Sequence, residues 1–188
     1  MSGKPLLLLD RDGTILTEQD YLKDPRKVRF LSGSIAALRK LARAGFKMVV
    51  ISNQSGIGRG LMTRRDVERV NRRFLERLEA QGIRLDGIYY CPHHPQAGCA
   101  CRKPKLKLVK QAARDLRQSW RRSISVGDKG IDVQLGQRTG GRGILVMTGN
   151  GRRELADGRV FKPDFVASNI GSAARWILRH GQRSGAHG

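Results

Sequence analysis

Leu6-Leu7-Leu8-Leu9-Asp10-Arg11-Asp12-Gly13-Thr14 is the stretch on which the reading of this chain turns. Four consecutive leucines ending in a charged turn fit a strand covered on both faces, as the centre of a parallel sheet requires. Side chains alternate along a strand, so Asp10 and Asp12 are expected to face the same side, with Gly13 allowing a sharp exit. At the carboxyl edge of a parallel sheet such a pair opens into the crevice where α/β proteins bind ligands.

Outward from that strand, apolar segments alternate with helical periodicity. Ile35, Leu38 and Leu41 predict a helix ending near Gly45, and Phe46 to Ile51 predict a second strand. A polar, glycine-rich loop, Ser52-Asn53-Gln54-Ser55-Gly56-Ile57-Gly58-Arg59-Gly60, follows. Thr63 and Asp66 then form a capping box for a helix striped by Val67, Val70, Phe74 and Leu78. Ile88–Tyr90, Ser123–Val126 and Gly143–Met147 are three further strands, with helices at Leu106–Leu116 and near Ile131–Leu135. Gly149 to Pro163 is expected to be irregular, Asp164–Ala167 a short edge strand, and Ala173–Leu178 a final helix. The expectation is one α/β domain over residues 1–180. It is a Rossmann-like parallel sheet with helices on both faces, no large cap domain, and a small zinc-bound loop at 91–101. Residues 181–188 are expected to be a disordered tail.

The 188 residues carry 37 Lys and Arg against 16 Asp and Glu, a formal charge of +21, which favours anionic partners. No segment is apolar over the roughly 18 residues a membrane span needs, and the amino terminus lacks a signal-peptide pattern. A soluble cytoplasmic monomer with no membrane partner is therefore expected. All three cysteines lie in one short segment, which argues against a disulfide framework and for a reducing compartment. Cys91-x-His93 followed by Cys99-x-Cys101 offers four soft or borderline ligands, the set that tetrahedral Zn²⁺ takes. With no open position evident, the zinc is expected to be structural and to hold the following Arg102 and Lys103 in place.

Three apolar strands end in candidate chemistry: Asp10 and Asp12, then Ser52 and Asn53, then Asp128. Acids from two parallel strands converging on one edge suit a hard cation such as Mg²⁺. Asp10-Arg11-Asp12-Gly13-Thr14, Ser52-Asn53-Gln54, Lys103 and Gly127-Asp128 together resemble the four motifs of the haloacid dehalogenase superfamily of phosphatases. The resemblance implies an aspartyl-phosphate on Asp10, proton transfer by Asp12, and Mg²⁺ at Asp10, Asp128 and the Asp12 backbone carbonyl. It also implies phosphoryl or substrate contacts from Ser52, Asn53, Gln54, Ser55 and Lys103, with Arg102 and Lys129 as further substrate contacts and Asp132 orienting Lys129 or the metal shell.

Within the superfamily, the Ser52–Gly60 block and Cys91-Pro92-His93-His94-Pro95 are similar to phosphatases of sugar (heptose) bisphosphates. The short spacing from His93 to Cys99 and the run Lys103-Pro104-Lys105-Leu106 resemble the related histidinol-phosphate phosphatases. A small phosphorylated sugar is the expected substrate and histidinol phosphate the alternative. A nucleic-acid-binding zinc protein is a third reading. Aromatics are few, however, and most sit in strands or at apolar helix positions, so only non-specific nucleic-acid contact is expected.

Overall fold

The structure, a computed structural model, describes residues 4–157 and 161–181. The expected tail beyond Gly181 lies outside the described residues.

Six parallel strands form one sheet in the order β3-β2-β1-β4-β5-β6. They are β1 (Leu7–Leu9), β2 (Met48–Asn53), β3 (Gly87–Cys91), β4 (Ile124–Gly127), β5 (Arg142–Val146) and β6 (Phe165–Ala167). The leucine run is central: Leu7 and Leu9 align with Met48 and Val50 on one side and with Ile124 and Val126 on the other. The alternation of the strand sends these leucines into two separate cores. Leu7 and Leu9 pack with α1 (Ser34–Arg43), α3 (Arg64–Glu79) and α7 (Ile170–His180), while Leu6 and Leu8 pack with α4 (Lys107–Asp115) and Leu135 of α5 (Gly130–Arg138). All four are fully buried, so the β1 leucines must be apolar on both faces. Among the described residues no further domain interrupts the sheet, and no helix is long and apolar enough to cross a membrane.

The strand order reverses between β1 and β4, the position at which doubly wound sheets open a crevice at their carboxyl ends. Asp10 leaves β1 and Asp128 leaves β4, so the topology delivers both acids to that crevice.

Two segments differ from their expected form. Ser52 and Asn53 complete β2, and Ser55–Gly58 coil into a short helix, α2, in place of an open loop. Its glycines serve packing: a Cβ on Gly56 would strike Met62 and Tyr21, and one on Gly58 would overlap the His94 backbone. The expected irregular stretch after Gly149 contains α6 (Gly151–Ala156). Gly151 is needed there because a Cβ would meet the Val146 carbonyl, and the glycine that disguises the helix in sequence is what lets it close on β5.

Candidate active site

Asp10 is 9 % exposed at the end of β1, and its Oδ1 accepts a 2.6 Å hydrogen bond from Lys103 Nζ. Lys103 is itself buried. Its ammonium also donates to the Ile51 carbonyl at 2.7 Å and lies 2.7 Å from Asp132 Oδ1. Three elements therefore meet at one nitrogen: the end of β1, the end of β2, and α5. Asn53 fixes the Lys103 backbone, its Oδ1 accepting from Lys103 N at 3.0 Å. Burial alone would lower the Lys103 pKa, but the carboxylates of Asp10 and Asp132 outweigh it and hold the ammonium charged. Burial raises Asp10, with Lys103 opposing, and pushes Asp132 up to about 6.

Asp132 therefore holds Lys103, a partner additional to the Lys129 or metal shell expected for it. Its contact with Lys129 is only through the backbone, Oδ2 accepting from Lys129 N at 3.2 Å. The Lys129 ammonium instead faces Glu18 at 3.6 Å. Burial raises the Glu18 carboxyl, against the lowering pull of Lys129.

Carboxylate oxygens of Asp10, Asp128 and Asp132 lie within 4.8 Å of one another. Asp132 is engaged by Lys103, and Asp10 Oδ1 likewise. Asp128 is fully buried, and its Oδ2 accepts from Asn150 N at 2.8 Å and from Asn150 Nδ2 at 3.0 Å. Asp128 Oδ1 is buried with no hydrogen-bond partner among the described residues. A buried, unpartnered carboxylate oxygen beside a second acid is costly without a cation. Oxygen donors from two carboxylates, with room for water and phosphate oxygens, are what Mg²⁺ takes. The residues present fit that ion.

Asp12 is held differently. The fully buried Arg11 donates to it from Nε and from Nη2, the latter at 2.8 Å, while Arg11 Nη1 donates to Asn71 Oδ1 of α3 at 2.5 Å. Gln54 Nε2 donates to both Asp12 Oδ2, at 3.0 Å, and Ser52 Oγ, at 2.7 Å. With its oxygen accepting from Gln54, the Ser52 hydroxyl can direct its own proton elsewhere.

Asp10, Asp12, Ser52, Asn53, Gln54, Ser55, Arg102, Lys103 and Lys129 all line one cavity of about 240 Å³. Asp128 is buried outside that lining. Arg102 Nη1 is buried with no hydrogen-bond partner among the described residues. The cavity is also lined by Glu18–Leu22 and by Gly56. Asn71 and Asn150 were also missed. The signal for Asn71 is a polar residue in the buried phase of α3, between Val70 and Phe74.

At the end of β3, Cys91, His93, Cys99 and Cys101 gather around a point. Their Sγ and Nδ1 atoms are separated by 3.1 to 3.6 Å along the five edges Cys91–His93, Cys91–Cys99, His93–Cys101, Cys91–Cys101 and Cys99–Cys101. A tetrahedral ion about 2.0–2.3 Å from each ligand requires edges of roughly 3.3–3.8 Å. The cluster is compatible with zinc. His94 stays outside it, its Nδ1 accepting from Gln96 N at 3.3 Å.

A parallel sheet with an acidic β1 terminus, a buried lysine on that acid and a cation-ready carboxylate on β4 defines a phosphatase of the haloacid dehalogenase-like class. The family model "HAD-hyrolase-like" matches residues 100–173. The D-glycero-beta-D-manno-heptose-1,7-bisphosphate 7-phosphatase of Escherichia coli K12 is 39% identical over 182 residues, covering 93% of this chain and 88% of the relative. The enzyme of that name from Bordetella bronchiseptica is 34% identical over 93% of this chain and 98% of its own. The crystal structure of the D,D-heptose 1,7-bisphosphate phosphatase from B. bronchiseptica, complexed with magnesium and phosphate, superposes with a TM-score of 0.85 at 34% identity, covering 93% of this chain and 98% of that one. The chain belongs to this heptose-bisphosphate 7-phosphatase family within the HAD-like hydrolases.

Proposed function

We propose that this chain hydrolyses the 7-phosphate of D-glycero-D-manno-heptose 1,7-bisphosphate through an aspartyl-phosphate on Asp10. The observation that carries the reading is the disposition of the Asp10 carboxylate. Oδ1 is fixed by Lys103, and Oδ2 receives no hydrogen bond from the described residues, in a carboxyl group that lines the cavity. Oδ2 attacks phosphorus, and the bond from phosphorus to the sugar oxygen breaks. Asp12 gives its proton to that leaving oxygen. It then takes one from the water that cleaves the acyl phosphate, releasing inorganic phosphate and restoring Asp10. Gln54 bridges Asp12 and Ser52, so the proton carrier and a phosphoryl donor are aligned by one amide. Ser52 and Lys103 donate to the transferring oxygens, whose charge in the transition state is where such donors stabilise most.

Mg²⁺ would be held by Asp10, Asp128 and the Asp12 backbone carbonyl, supplying positive charge between an anionic nucleophile and a dianionic phosphate. The B. bronchiseptica relative was crystallised with magnesium and phosphate, which supports that assignment. Zinc at Cys91, His93, Cys99 and Cys101 would be structural, setting the backbone that leads through Arg102 to Lys103. Arg102 and Lys129, the other cations lining the cavity, would take the second phosphate of a bisphosphate.

The relatives' names favour a heptose bisphosphate over histidinol phosphate. Phosphate release with Mg²⁺ from both substrates tests the choice, with ³¹P NMR locating the phosphate that remains. A higher kcat/KM for the bisphosphate, leaving a 1-phosphate and abolished by Asp10→Asn, is expected. Preference for histidinol phosphate would overturn the substrate, and activity in Asp10→Asn would overturn the mechanism.

A further inference from the structure

Between Lys105 and Arg122 the chain carries seven cationic side chains and one acid, Asp115. Lys107, Lys110 and Arg114 recur at helical spacing on the exposed side of α4, spanning roughly 10 Å of helix axis. None of the three forms an ion pair with a carboxylate among the described residues. Asp115 is occupied by the Tyr89 hydroxyl, which donates to it at 3.0 Å. The opposite face of α4 buries Leu108, Val109, Ala112 and Ala113 against the sheet, so the cationic stripe cannot turn inward.

Beside this stripe runs an open groove of about 830 Å³, lined among others by Lys105, Lys107, Lys110, Arg114 and Trp120. Trp120 is half-buried, with Lys110 Nζ and the Arg121 guanidinium each 5.1 Å from its ring centre. A recessed indole set among cations combines the two elements that bind single strands without reading sequence: charges that track phosphates and a flat ring on which a base stacks. The α3 helix is also rich in arginine, but there Glu68, Glu76 and Asp66 interleave, and Arg69 and Arg73 pair with Asp66 and Glu76.

We propose that the α4–Trp120 face is a sequence-independent binding surface for single-stranded nucleic acid, separate from the catalytic cavity. An anionic bilayer is the less suitable partner. Interfacial docking uses protruding apolar anchors, and among the described residues the exposed large apolar ones, Tyr21, Leu61, Leu155 and Val166, all lie outside this stretch.

Fluorescence anisotropy with labelled oligo(dT) and oligo(U) of about 20 nucleotides, measured across a salt series, tests the surface. Binding should weaken linearly on a log–log plot. Lys107→Glu/Lys110→Glu/Arg114→Glu should bind about tenfold or more weakly, with a slope shallower by about 2, from roughly 0.7 per lost phosphate contact. The matched Arg65→Glu/Arg69→Glu/Arg72→Glu protein carries the same charge change and should keep most of the affinity. Trp120→Leu should weaken binding without altering the slope. All three variants should retain wild-type phosphatase activity, which confirms their folding. Equal losses from the α3 and α4 variants would overturn the proposal in favour of net charge alone. So would wild-type binding by the α4 variant. Loss of flotation with phosphatidylserine vesicles by the α4 variant, without oligonucleotide binding by the wild type, would assign the surface to membranes instead.

Discussion

Lys103 and Asp10, 93 positions apart, are joined by a 2.6 Å hydrogen bond between two buried groups of opposite charge. Asp132 shares the same ammonium from the other side at 2.7 Å. The lysine thus neutralises two acids at rest and would face a phosphoryl group during turnover. Lys103→Met is expected to lower kcat by about 10²- to 10³-fold, the usual cost of removing one charge-stabilising donor. Its Asp10 and Asp132 would be left as uncompensated buried acids, so urea unfolding should also show a loss on the order of 3 kcal/mol near neutral pH. Wild-type kcat in this variant would remove Lys103 from the mechanism.

Asp132 gives a pH signature. Burial raises its pKa from 3.8 to about 6 in the folded chain, so between those values the folded state holds a proton that the unfolded state has released. The group's stabilising contribution is complete below about pH 4 and is lost as pH rises through 6. Asp132→Asn has no such loss. In EDTA, the variant's stability relative to wild type should therefore improve between pH 4 and pH 7, by up to about 3 kcal/mol for two pH units. A difference that stays constant with pH would show that Asp132 is ionised at little cost.

The central strand and the acidic stops were legible because they depend on local pattern. Leu6–Leu9 must be buried on both faces, and a strand that ends in Asp10 must present that acid at the sheet edge. The zinc-compatible cluster was legible because its four side chains lie within 11 residues, Cys91 to Cys101. Contacts between distant elements were not. Nothing near Asp132 marks Lys103 as its partner, since α4 and β4 intervene between them. Glycine was the other blind spot. It signals a loop by propensity, but Gly56, Gly58 and Gly151 are required by close approach of another backbone or side chain. The helices α2 and α6 were missed for that reason.

The bond from Arg11 to Asn71 leads to a third prediction. Arg11 carries the Asp12 carboxylate on one side of its guanidinium and Asn71 of α3 on the other, so α3 braces Asp12, the proposed proton carrier, from outside the cavity. Asn71→Ala leaves a buried guanidinium nitrogen without its acceptor, at a cost of about 1–3 kcal/mol. Loosening Asp12 should lower kcat several-fold while KM changes little, because Asn71 does not line the cavity. Steady-state kinetics and thermal melts separate the two effects. A change confined to KM would count against the bracing role.

Gly58 couples α2 to the loop that carries the Cys91–Cys101 cluster. A Cβ there would overlap the backbone of His93 and His94, and backbone cannot swing aside as a flexible side chain can. Gly58→Ala should therefore destabilise the protein by about 1–3 kcal/mol and weaken metal retention during dialysis against a mild chelator. Unchanged melting and zinc content would mean that the two segments separate freely.

Cys99→Ser tests whether the loop needs its metal to place Lys103. Cys99 is the most exposed of the three thiols, so its loss costs little packing, and the measured effect is that of the ligand set. Zinc per chain, measured by mass spectrometry of the metal, should fall from about one to well below one. The kcat/KM should fall about 10- to 100-fold, as when a metal site's supporting structure is disturbed. Lys105 also ties this loop, its Nζ donating to the Cys99 carbonyl at 2.7 Å and to the Gly98 carbonyl at 3.1 Å. Some order should therefore survive in the variant, and excess Zn²⁺ should restore part of the activity. Full activity in zinc-free Cys99→Ser would show that Asn53, through its bond to the Lys103 backbone, positions the lysine without help from the metal.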